Sequence, residues 1–122
     1  PEINGDIIES LEEPTLIANP NCSTSQLLMV LKPIHEKYGI EFLNIATYQA
    51  VSGTGKEAVE ELRSQTYESE SPESKVYPKP IAFNVIPQCD IFLDNAFTKE
   101  EMKLVWETKK ILDPNIDVLD VL

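Results

Sequence analysis

The feature that most constrains the fold of this chain is the alternation of short apolar runs with longer segments of helical spacing. The apolar runs have the length of strands, and turn-forming residues separate them from the helical segments. This alternation predicts a mixed sheet with helices packed on it, and therefore an α/β (α+β) fold. The predicted elements are, in chain order, strand 15–18, helix 23–38, strand 41–48, helix 56–68, strand 81–86 and helix 98–112.

Local signals set the limits of two of these helices. Ser23 followed by Gln26, and Thr98 followed by Glu101, have the spacing of a capping box, in which two side chains satisfy backbone N–H groups at the helix start. Gly39 is a stop signal for the first of these helices. The segment 68–80 is polar and Pro-rich, which predicts a loop. The spacing in the last helix predicts a buried stripe made of Met102, Val105, Trp106 and Leu112.

The length of 122 residues suits one domain, and a formal net charge of −11 restricts its partners. Nucleic acid and anionic membrane surfaces both require a basic footprint, so neither is expected as a partner. No apolar run approaches the roughly 20 residues needed to span a bilayer. Two cysteines 67 positions apart and a single His make neither a disulfide framework nor a metal-ligand set. We therefore expect no metal and a reducing, cytoplasmic location.

The ends of the chain differ from those of most natural domains. The chain begins with Pro1 instead of Met, and its last five residues, 118–122, are mostly apolar, whereas terminal residues are usually polar. We therefore expect the chain to be a segment of a longer polypeptide.

Cys22 is the first candidate for chemistry. It lies where an Asn-Pro-Asn turn, 19–21, meets the start of a helix. There the unpaired N–H groups and the helix dipole favour a thiolate, which is the nucleophilic form of the side chain. The same N–H groups can stabilise an oxyanion on a bound carbonyl. A small side chain that only fills a tight turn is the alternative, and position alone leaves both open.

Three further features favour structural interpretations. Cys89 lies in an apolar stretch without a helix start, which indicates a buried, inert thiol. His35 lies next to charged residues on its helix, which indicates a solvated side chain and not a general base. The segment 52–56 (S-G-T-G-K) is similar to a phosphate-binding P-loop, but position 50 is Ala where that motif has Gly, and Lys56 is followed by Glu57. This segment is therefore either a weak backbone anion site or a flexible connection.

Glu100 and Lys103 are one helical turn apart and share a face. Glu101 is engaged by the capping box, which leaves Glu100 to meet a ligand. Spacing alone nevertheless favours a solvated ladder of charges along this helix, formed by Glu100, Lys103, Glu107 and Lys110.

Four motifs occur in an order that identifies a family. They are I-A-N-P-N-C-S-T at 17–24, T-Y-Q-A-V-S-G at 47–53, I-A-F-N-V-I-P-Q at 81–88 and E-E-M-K at 100–103. Together they resemble aspartate-semialdehyde dehydrogenase, and the resemblance extends from about position 1 to position 112. N-acetyl-γ-glutamyl-phosphate reductase, a relative by chemistry, has a different Cys motif and fits less well.

The resemblance implies that three residues act directly on the substrate carbonyl. Cys22 is then the nucleophile that forms a thiohemiacetal and an acyl-thioester. Asn21 lines the oxyanion and substrate region beside it, and Gln49 orients the substrate at the thioester.

The resemblance also implies roles in binding. Ser52 and Gly53 lie along NADP, near its nicotinamide end. Glu100 binds the amino group of the substrate, and Lys103 binds the acyl phosphate or inorganic phosphate. These roles replace the solvated ladder that spacing alone favours.

The fold implied by the resemblance is part of a glyceraldehyde-3-phosphate-dehydrogenase-like C-terminal catalytic domain. Residues 1–122 are then a partial catalytic and dimerisation domain, without the N-terminal NADP-binding domain and the C-terminal part that bears the catalytic His. His35 does not match that His, because it precedes Gln49, whereas the family's His follows the region of Lys103. The implied protein is a cytoplasmic homo-oligomer, dimer or tetramer. The tail 113–122 matches poorly and receives no assignment.

The implied activity is the NADPH-dependent reductive dephosphorylation of β-aspartyl phosphate to aspartate β-semialdehyde, in the biosynthesis of lysine, threonine and methionine. The ligands are this substrate pair and phosphate, with NADP as the cofactor. Because most of the NADP site and the acid/base are missing, the segment alone is predicted to have no turnover. The alternatives are a catalytically silent fragment that only assembles or dimerises, and a related acyl-phosphate reductase.

Overall fold

The computed structural model of the chain describes residues 2–67 and 74–121. It divides into two compact units, a first unit of Pro1–Ala46 with Asp90–Leu122 and a second unit of Thr47–Cys89. None of the helices in the described part has the length and apolar character that a lipid bilayer requires of a spanning segment. The elements are, in chain order, α1 (Asp6–Glu9), α2 (Cys22–Tyr38), β1 (Phe42–Ile45), a 3-10 helix (Val51–Gly53), α3 (Lys56–Tyr67), α4 (Lys99–Ile111) and β2 (Asp117–Val121).

Helix α2 begins one residue before its predicted start because Asn21, and not Ser23, is its N-cap. The Asn21 Oδ1 atom accepts hydrogen bonds from the N–H groups of Ser23 and Thr24 at 2.9 and 3.3 Å. Asn is a favourable N-cap because its short side chain reaches these otherwise unpaired donors. The predicted capping box at Ser23 and Gln26 is therefore wrong, and the Gln26 side chain donates to the Cys22 carbonyl instead.

Two other helix ends form as the sequence predicts. Gly39 is the C-cap of α2 and has a φ of 73°, a conformation that glycine adopts without strain. At the start of α4, the Thr98 hydroxyl accepts from the N–H of Glu101, and the Glu101 carboxylate accepts from the N–H of Thr98. The capping box of α4 is thereby confirmed.

Helix α4 buries a face that differs from the predicted one. Its buried residues are Glu100, Leu104 and Thr108, which repeat every four positions along one row. Trp106 is 53% exposed, because two positions along a helix place it about 200° around the axis from Leu104. The predicted stripe is wrong at Trp106, while its other members are half-buried, namely Met102, Val105 and Leu112.

The sheet of the first unit is the parallel pair of β1 and β2. Phe42 aligns with Asp117 and Ile45 with Val121, and an irregularity in the register falls between Leu43 and Asn44. Strand β2 comes from the tail that received no assignment from the sequence. Helices together with a parallel sheet confirm the predicted α/β class.

The core of the first unit lies between this sheet and two helices. Ile45 of β1 and Leu104 of α4 are both buried and belong to one cluster. Half-buried side chains from α2, both strands and α4 pack against them, namely Leu27, Leu43, Val118 and Val105. Burial of this apolar surface holds α2 and α4 beside the sheet, and so brings the start of α2 close to α4.

Two predicted strands are not formed. Residues 15–18 are exposed, and no strand pairs with them in the described part of the chain. Residues 81–86 form a turn and irregular backbone, because the N–H groups of Ile81 and Ala82 donate to the Gln65 Oε1 atom at 2.8 and 3.0 Å. A strand needs a second backbone to accept its hydrogen bonds, so the predictions at 15–18 and 81–86 are wrong.

A buried carboxylate on α3 organises the loop of the second unit. The oxygens of Glu61 accept hydrogen bonds from the N–H groups of Lys75, Val76 and Tyr77, at 2.7, 2.6 and 3.4 Å. Burial disfavours the charged carboxylate, but these backbone donors outweigh it and hold the pKa of Glu61 below its usual range. The predicted loop is thus ordered from position 74 onward by a helix side chain, while 68–73 lie outside the described residues.

We expect Glu61→Gln to destabilise the second unit by about 1–2 kcal/mol, because an amide NH₂ facing backbone donors cannot accept from them. The pKa of Glu61 is lowered in the folded state. The Glu61 carboxylate therefore contributes its full stabilisation of the fold above the unfolded pKa of about 4.3. This stabilisation is lost as the pH falls through the lower folded pKa. Urea unfolding at neutral and acidic pH measures both effects.

Glu60→Gln is the matched control, because the Glu60 carboxylate is exposed and pairs with the exposed Lys56 at 3.5 Å. It should leave the free energy of unfolding nearly unchanged. Equal destabilisation by the two variants at neutral pH would contradict the role of Glu61.

Candidate active site

Cys22 occupies the first position of α2, and its side chain is exposed. The cap formed by Asn21 uses the N–H groups of Ser23 and Thr24. In the described part of the chain, the N–H of Cys22 itself has no hydrogen-bond acceptor, so one of the donors expected at this helix start is available to a ligand. The turn therefore presents a thiol, one backbone donor and the positive end of the helix dipole together.

The turn before Cys22 is bound to α4 through the Asn21 side chain. The Asn21 Nδ2 atom donates to both carboxylate oxygens of Glu100, at 2.9 and 3.0 Å. The Ser23 hydroxyl makes a longer contact of 3.4 Å to the same carboxylate. Glu100 is 8% exposed, so the interpretation of α4 as a solvated ladder of charges is wrong at this residue. The role of Asn21 in lining an oxyanion site stays a prediction.

Lys103 lies between two carboxylates. Its ammonium is 3.1 Å from Glu100 Oε2 and 3.1 Å from Asp90 Oδ2. Partial burial disfavours the charged ammonium, but the hydrogen bonds and charges of Asp90 and Glu100 outweigh it and raise the pKa of Lys103 above its usual range. The structure thus joins Glu100 and Lys103, which the sequence placed in one site, and adds Asp90, for which the sequence carried no signal.

Asp90 is held in an unusual backbone conformation, with a φ of 69°. Its Oδ1 atom accepts from the N–H of Ile91 at 2.8 Å, which leaves Oδ2 for Lys103. The Ile91 N–H, more than Lys103, lowers the pKa of Asp90. Because the pKa of Asp90 is lowered and that of Lys103 is raised, the pair stabilises the fold from about pH 4 to about pH 10. This stabilisation is lost as the pH falls through the lowered folded pKa of Asp90 or rises through the raised folded pKa of Lys103.

A second carboxylate of α4 reaches the same turn. The Oε2 atom of Glu107 accepts from the backbone N–H of Asn21 at 2.8 Å. Glu107 lies seven positions after Glu100 and therefore projects in nearly the same direction from the helix. The seven-residue spacing is visible in the sequence and shows that the two carboxylates share a face of α4. A solvated ladder of charges has the same spacing, so the sequence could not show what Glu107 binds.

The predicted residues Gln49, Ser52 and Gly53 lie together in the second unit. Ser52 and Gly53 belong to the 3-10 helix, and both are exposed. The Gln49 side chain lies against Gly53, since a Cβ atom at position 53 would be 2.9 Å from the Gln49 Cδ atom. The Cys89 Sγ atom donates to Gln49 Oε1 at 3.2 Å. The prediction of a buried Cys89 is therefore wrong, because this thiol is partly exposed and contacts Gln49, while its inertness stays a prediction.

His35 has a structural role at the end of α2. Its Nδ1 atom accepts from the N–H of Ile40 at 3.0 Å, and its Nε2 atom lies 3.1 Å from Asp113 Oδ2. The N–H of Asn115, with a further contribution from His35, lowers the pKa of Asp113. The His35 side chain is 22% exposed. The prediction of a solvated side chain is therefore wrong, because the tail 113–117 folds back to this helix end.

The segment 52–56 does not form a phosphate cradle. The N–H groups of Gly53, Thr54 and Gly55 donate to carbonyl groups of residues 50–52 within the same turn. The Ser52 hydroxyl is exposed, but a phosphate would find these three backbone donors already in use. Among residues 2–67 and 74–121, no group of three His, Cys, Asp or Glu side chains is placed to hold a metal ion.

Comparisons with known proteins place this geometry in a family context. The family model described as "Semialdehyde dehydrogenase, dimerisation domain" matches residues 31–119. The aspartate-semialdehyde dehydrogenase of Shewanella violacea is 56% identical and aligns with 97% of this chain and 36% of its own length. Aspartate-semialdehyde dehydrogenase 2 of Vibrio cholerae is 51% identical over the same shares of the two chains.

Solved structures agree with the sequence comparison. The crystal structure of aspartate semialdehyde dehydrogenase II from Vibrio cholerae, complexed with ASA, has a TM-score of 0.91 and 49% identity, and the match covers 98% of this chain and 37% of that one. A probable aspartate-semialdehyde dehydrogenase from Pseudomonas aeruginosa has a TM-score of 0.88 at 28% identity. The resemblance stated from the sequence is confirmed. The chain spans little more than a third of the length of the curated relatives it matches.

We expect Gly53→Ala to displace the Gln49 side chain while changing the free energy of unfolding by less than about 1 kcal/mol, because the new methyl group meets the flexible end of a side chain. The chemical shifts of the Gln49 side-chain NH₂ group report the displacement, and urea unfolding reports stability.

Gly55→Ala is the matched control for this variant. Gly55 has open space around it but a φ of 114°, which an L side chain adopts only with strain. It should therefore lower stability by about 1 kcal/mol or more and leave the Gln49 resonances in place. Unmoved Gln49 resonances in Gly53→Ala would contradict the packing of these two residues.

Proposed function

The chain belongs to the semialdehyde dehydrogenase family. We propose that it is part of an aspartate-semialdehyde dehydrogenase. The proposed reaction is the NADPH-dependent reductive dephosphorylation of β-aspartyl phosphate to aspartate β-semialdehyde, or its reverse, in the biosynthesis of lysine, threonine and methionine. The observation that carries the proposal is the binding of the Asn21–Cys22 turn to Glu100, which is itself paired with Lys103. A nucleophile, a carboxylate and a cation are thereby held in one unit.

Cys22 is the proposed nucleophile. Its thiolate forms a C–S bond to the β-acyl carbon, the C–O bond to phosphate breaks, and phosphate leaves with the bonding electron pair. The N–H of Cys22, which has no acceptor in the described part of the chain, is available to stabilise the oxyanion formed in this step. NADPH, when bound, supplies the hydride that reduces the resulting acyl group. The C–S bond then breaks, which releases the aldehyde and regenerates the thiolate.

Glu100 and Lys103 are the proposed binding groups for the two ends of the substrate. The substrate carries an ammonium and a phosphate, and the two side chains carry the opposite charges. They pair with each other at 3.1 Å in the structure, so a zwitterionic ligand would replace one ion pair with two. Because the chain has a net charge of −11, an anionic substrate requires a concentrated local cation, and the raised pKa of Lys103 supports a charged ammonium at neutral pH.

The second unit is proposed to contribute Gln49, Ser52 and Gly53. Gln49 is assigned to orient the substrate, and its packing against Gly53 and Cys89 supports a restrained side chain. Ser52 and Gly53 are assigned to the nicotinamide end of NADP, which fits an exposed hydroxyl beside a glycine. No residue here is assigned to the phosphates of that cofactor.

We also propose a homo-oligomer with a cytoplasmic location. The family model is that of a dimerisation domain, which supports self-association. Exposed apolar side chains on α2 support it as well, namely Met29, Val30, Ile34 and Tyr38. Residues 1–122 are proposed to be part of the catalytic and dimerisation domain, separate from an NADP-binding domain and from a His-bearing part. We predict that the 122-residue chain alone has no turnover.

The test uses the protein expressed from its complete coding sequence. Phosphate-dependent reduction of NADP by aspartate semialdehyde should be measurable, and Cys22→Ser should abolish it. Labelling with iodoacetamide provides a second readout, in which Cys22 should react faster than Cys89 and should be protected by phosphate or a substrate analogue. Equal, slow labelling of both thiols without turnover would favour a silent assembly module, and turnover of an N-acetylated substrate would favour the related reductase.

We expect Lys103→Ala to weaken phosphate binding by ~1.5–3 kcal/mol, the range for hydrogen bonds to charged groups. This corresponds to a rise in Kd of about 10- to 150-fold. The variant also removes two ion pairs, so the free energy of unfolding, measured with urea, should fall by about 1 kcal/mol. Phosphate titration by calorimetry, together with steady-state kinetics, measures the binding effect.

Lys109→Ala is the control for this variant, because Lys109 is on the same helix and its ammonium makes an exposed pair with Asp117 at 3.8 Å. It removes the same charge without touching the site, so phosphate affinity should stay within about twofold of the parent. Unchanged phosphate affinity in Lys103→Ala would remove Lys103 from the proposed site.

A further inference from the structure

We propose that Glu107 is a positioning residue that holds Cys22 in its reactive orientation. The inference rests on the proposed function, in which Cys22 is the nucleophile and Glu100 and Lys103 bind the substrate. Its physical basis is the hydrogen bond of 2.8 Å from the backbone N–H of Asn21, the residue directly before Cys22, to Glu107 Oε2.

The segment directly before Asn21 is mostly exposed. Residues 16–19 are exposed, and residues 16–20 make no hydrogen bond to any other residue in the described ranges. Pro20 also has no N–H group with which to form one. The N–H of Asn21 is therefore the first backbone group of this segment that is fixed to the rest of the first unit, and the acceptor that fixes it is Glu107.

Glu107 differs from Glu100 in the number of donors that it serves. The Glu100 carboxylate is shared by Asn21 Nδ2, the Ser23 hydroxyl and the Lys103 ammonium. The carboxylate of Glu107 binds the backbone N–H of Asn21. That contact does not depend on the rotamer of any side chain in the turn. The two carboxylates thus hold different groups of the same residue, Asn21.

The difference between the contacts of Glu100 and Glu107 becomes important when a substrate binds. In the proposed function, the ligand ammonium recruits Glu100 and the ligand phosphate recruits Lys103, so their contacts within the protein are rearranged. Glu107 is outside that exchange. Its bond to Asn21 therefore keeps the turn, and with it the Cys22 thiolate and N–H, in one orientation through the covalent steps.

The test compares Glu107→Gln with Glu107→Ala. Both variants remove the same charge, but only the amide oxygen of Gln can still accept the N–H of Asn21. In the protein expressed from its complete coding sequence, Glu107→Ala should lower kcat at least about tenfold relative to Glu107→Gln, because displacement of a reacting group by a fraction of an ångström to one ångström has effects of this order. The KM for phosphate should stay within about twofold, because the phosphate-binding groups are untouched.

Alkylation of Cys22 by iodoacetamide gives a readout that does not require turnover. The rate should be several-fold lower in Glu107→Ala than in Glu107→Gln, while the rate at Cys89 should be the same in both. Amide hydrogen exchange at Asn21 should accelerate only in Glu107→Ala. Glu36→Gln removes an exposed carboxylate of α2 that pairs with Lys32 at 3.7 Å, and it should match the parent protein in every measurement.

Equal kcat and equal Cys22 alkylation in the Gln and Ala variants would overturn the inference. So would a fall in unfolding free energy in Glu107→Ala without any difference in kcat, because that result indicates a purely structural role. If the Ala variant does not fold, Glu107→Leu keeps the side-chain bulk without an acceptor and takes its place. Absence of turnover in the parent protein would reject the proposed function, whereas the Gln–Ala difference in alkylation would still decide the role of Glu107.

Discussion

The arrangement of the first unit depends on the buried carboxylate of Glu100. A buried charge is costly unless donors surround it, and here the donors come from the turn before α2 and from the next turn of α4. The Asn21 amide is the central partner, because its oxygen caps α2 while its nitrogen binds Glu100. One side chain thereby begins a helix and attaches that helix to its neighbour. The position of the exposed Cys22, which directly follows Asn21, depends on both of these contacts.

In the second unit, polar side chains of a helix also bind irregular backbone, and there they order a loop. Glu61 and Gln65, one turn apart on α3, accept the backbone N–H groups of a loop that has no regular structure. Irregular backbone needs partners for its polar groups as much as a strand does, and side chains of a helix supply them here. In the same unit, the Tyr77 hydroxyl of this loop donates to the hydroxyl of Thr54, the residue after Gly53, at 2.9 Å. Both units therefore depend on helix side chains that satisfy irregular backbone.

The charges around Cys22 have consequences for the chemistry proposed here. Three carboxylates, Asp90, Glu100 and Glu107, and one ammonium, Lys103, contact the turn or one another. Glu107 binds the Asn21 N–H, Glu100 binds the Asn21 amide and Lys103, and Asp90 binds Lys103, so the surplus of negative charge is distributed over specific hydrogen bonds. A cationic substrate group is compatible with this surplus, whereas an anionic group depends on Lys103. This asymmetry agrees with a ligand that carries both signs of charge.

The sequence by itself determined what depends on neighbouring residues. The capping box of Thr98 and Glu101, the stop at Gly39 and the limits of α4 all arise from contacts within about four positions, and they formed as predicted. The order of the motifs around Cys22 and Gln49 likewise identified the family. Tertiary structure decided what depends on distant partners: β2 formed because β1 lay beside it, 81–86 did not become a strand because Gln65 bound its N–H groups, and Glu107 met Asn21 across 86 positions. Local spacing states which face a side chain occupies, but only the packing of α2 against α4 decides which donor that side chain meets.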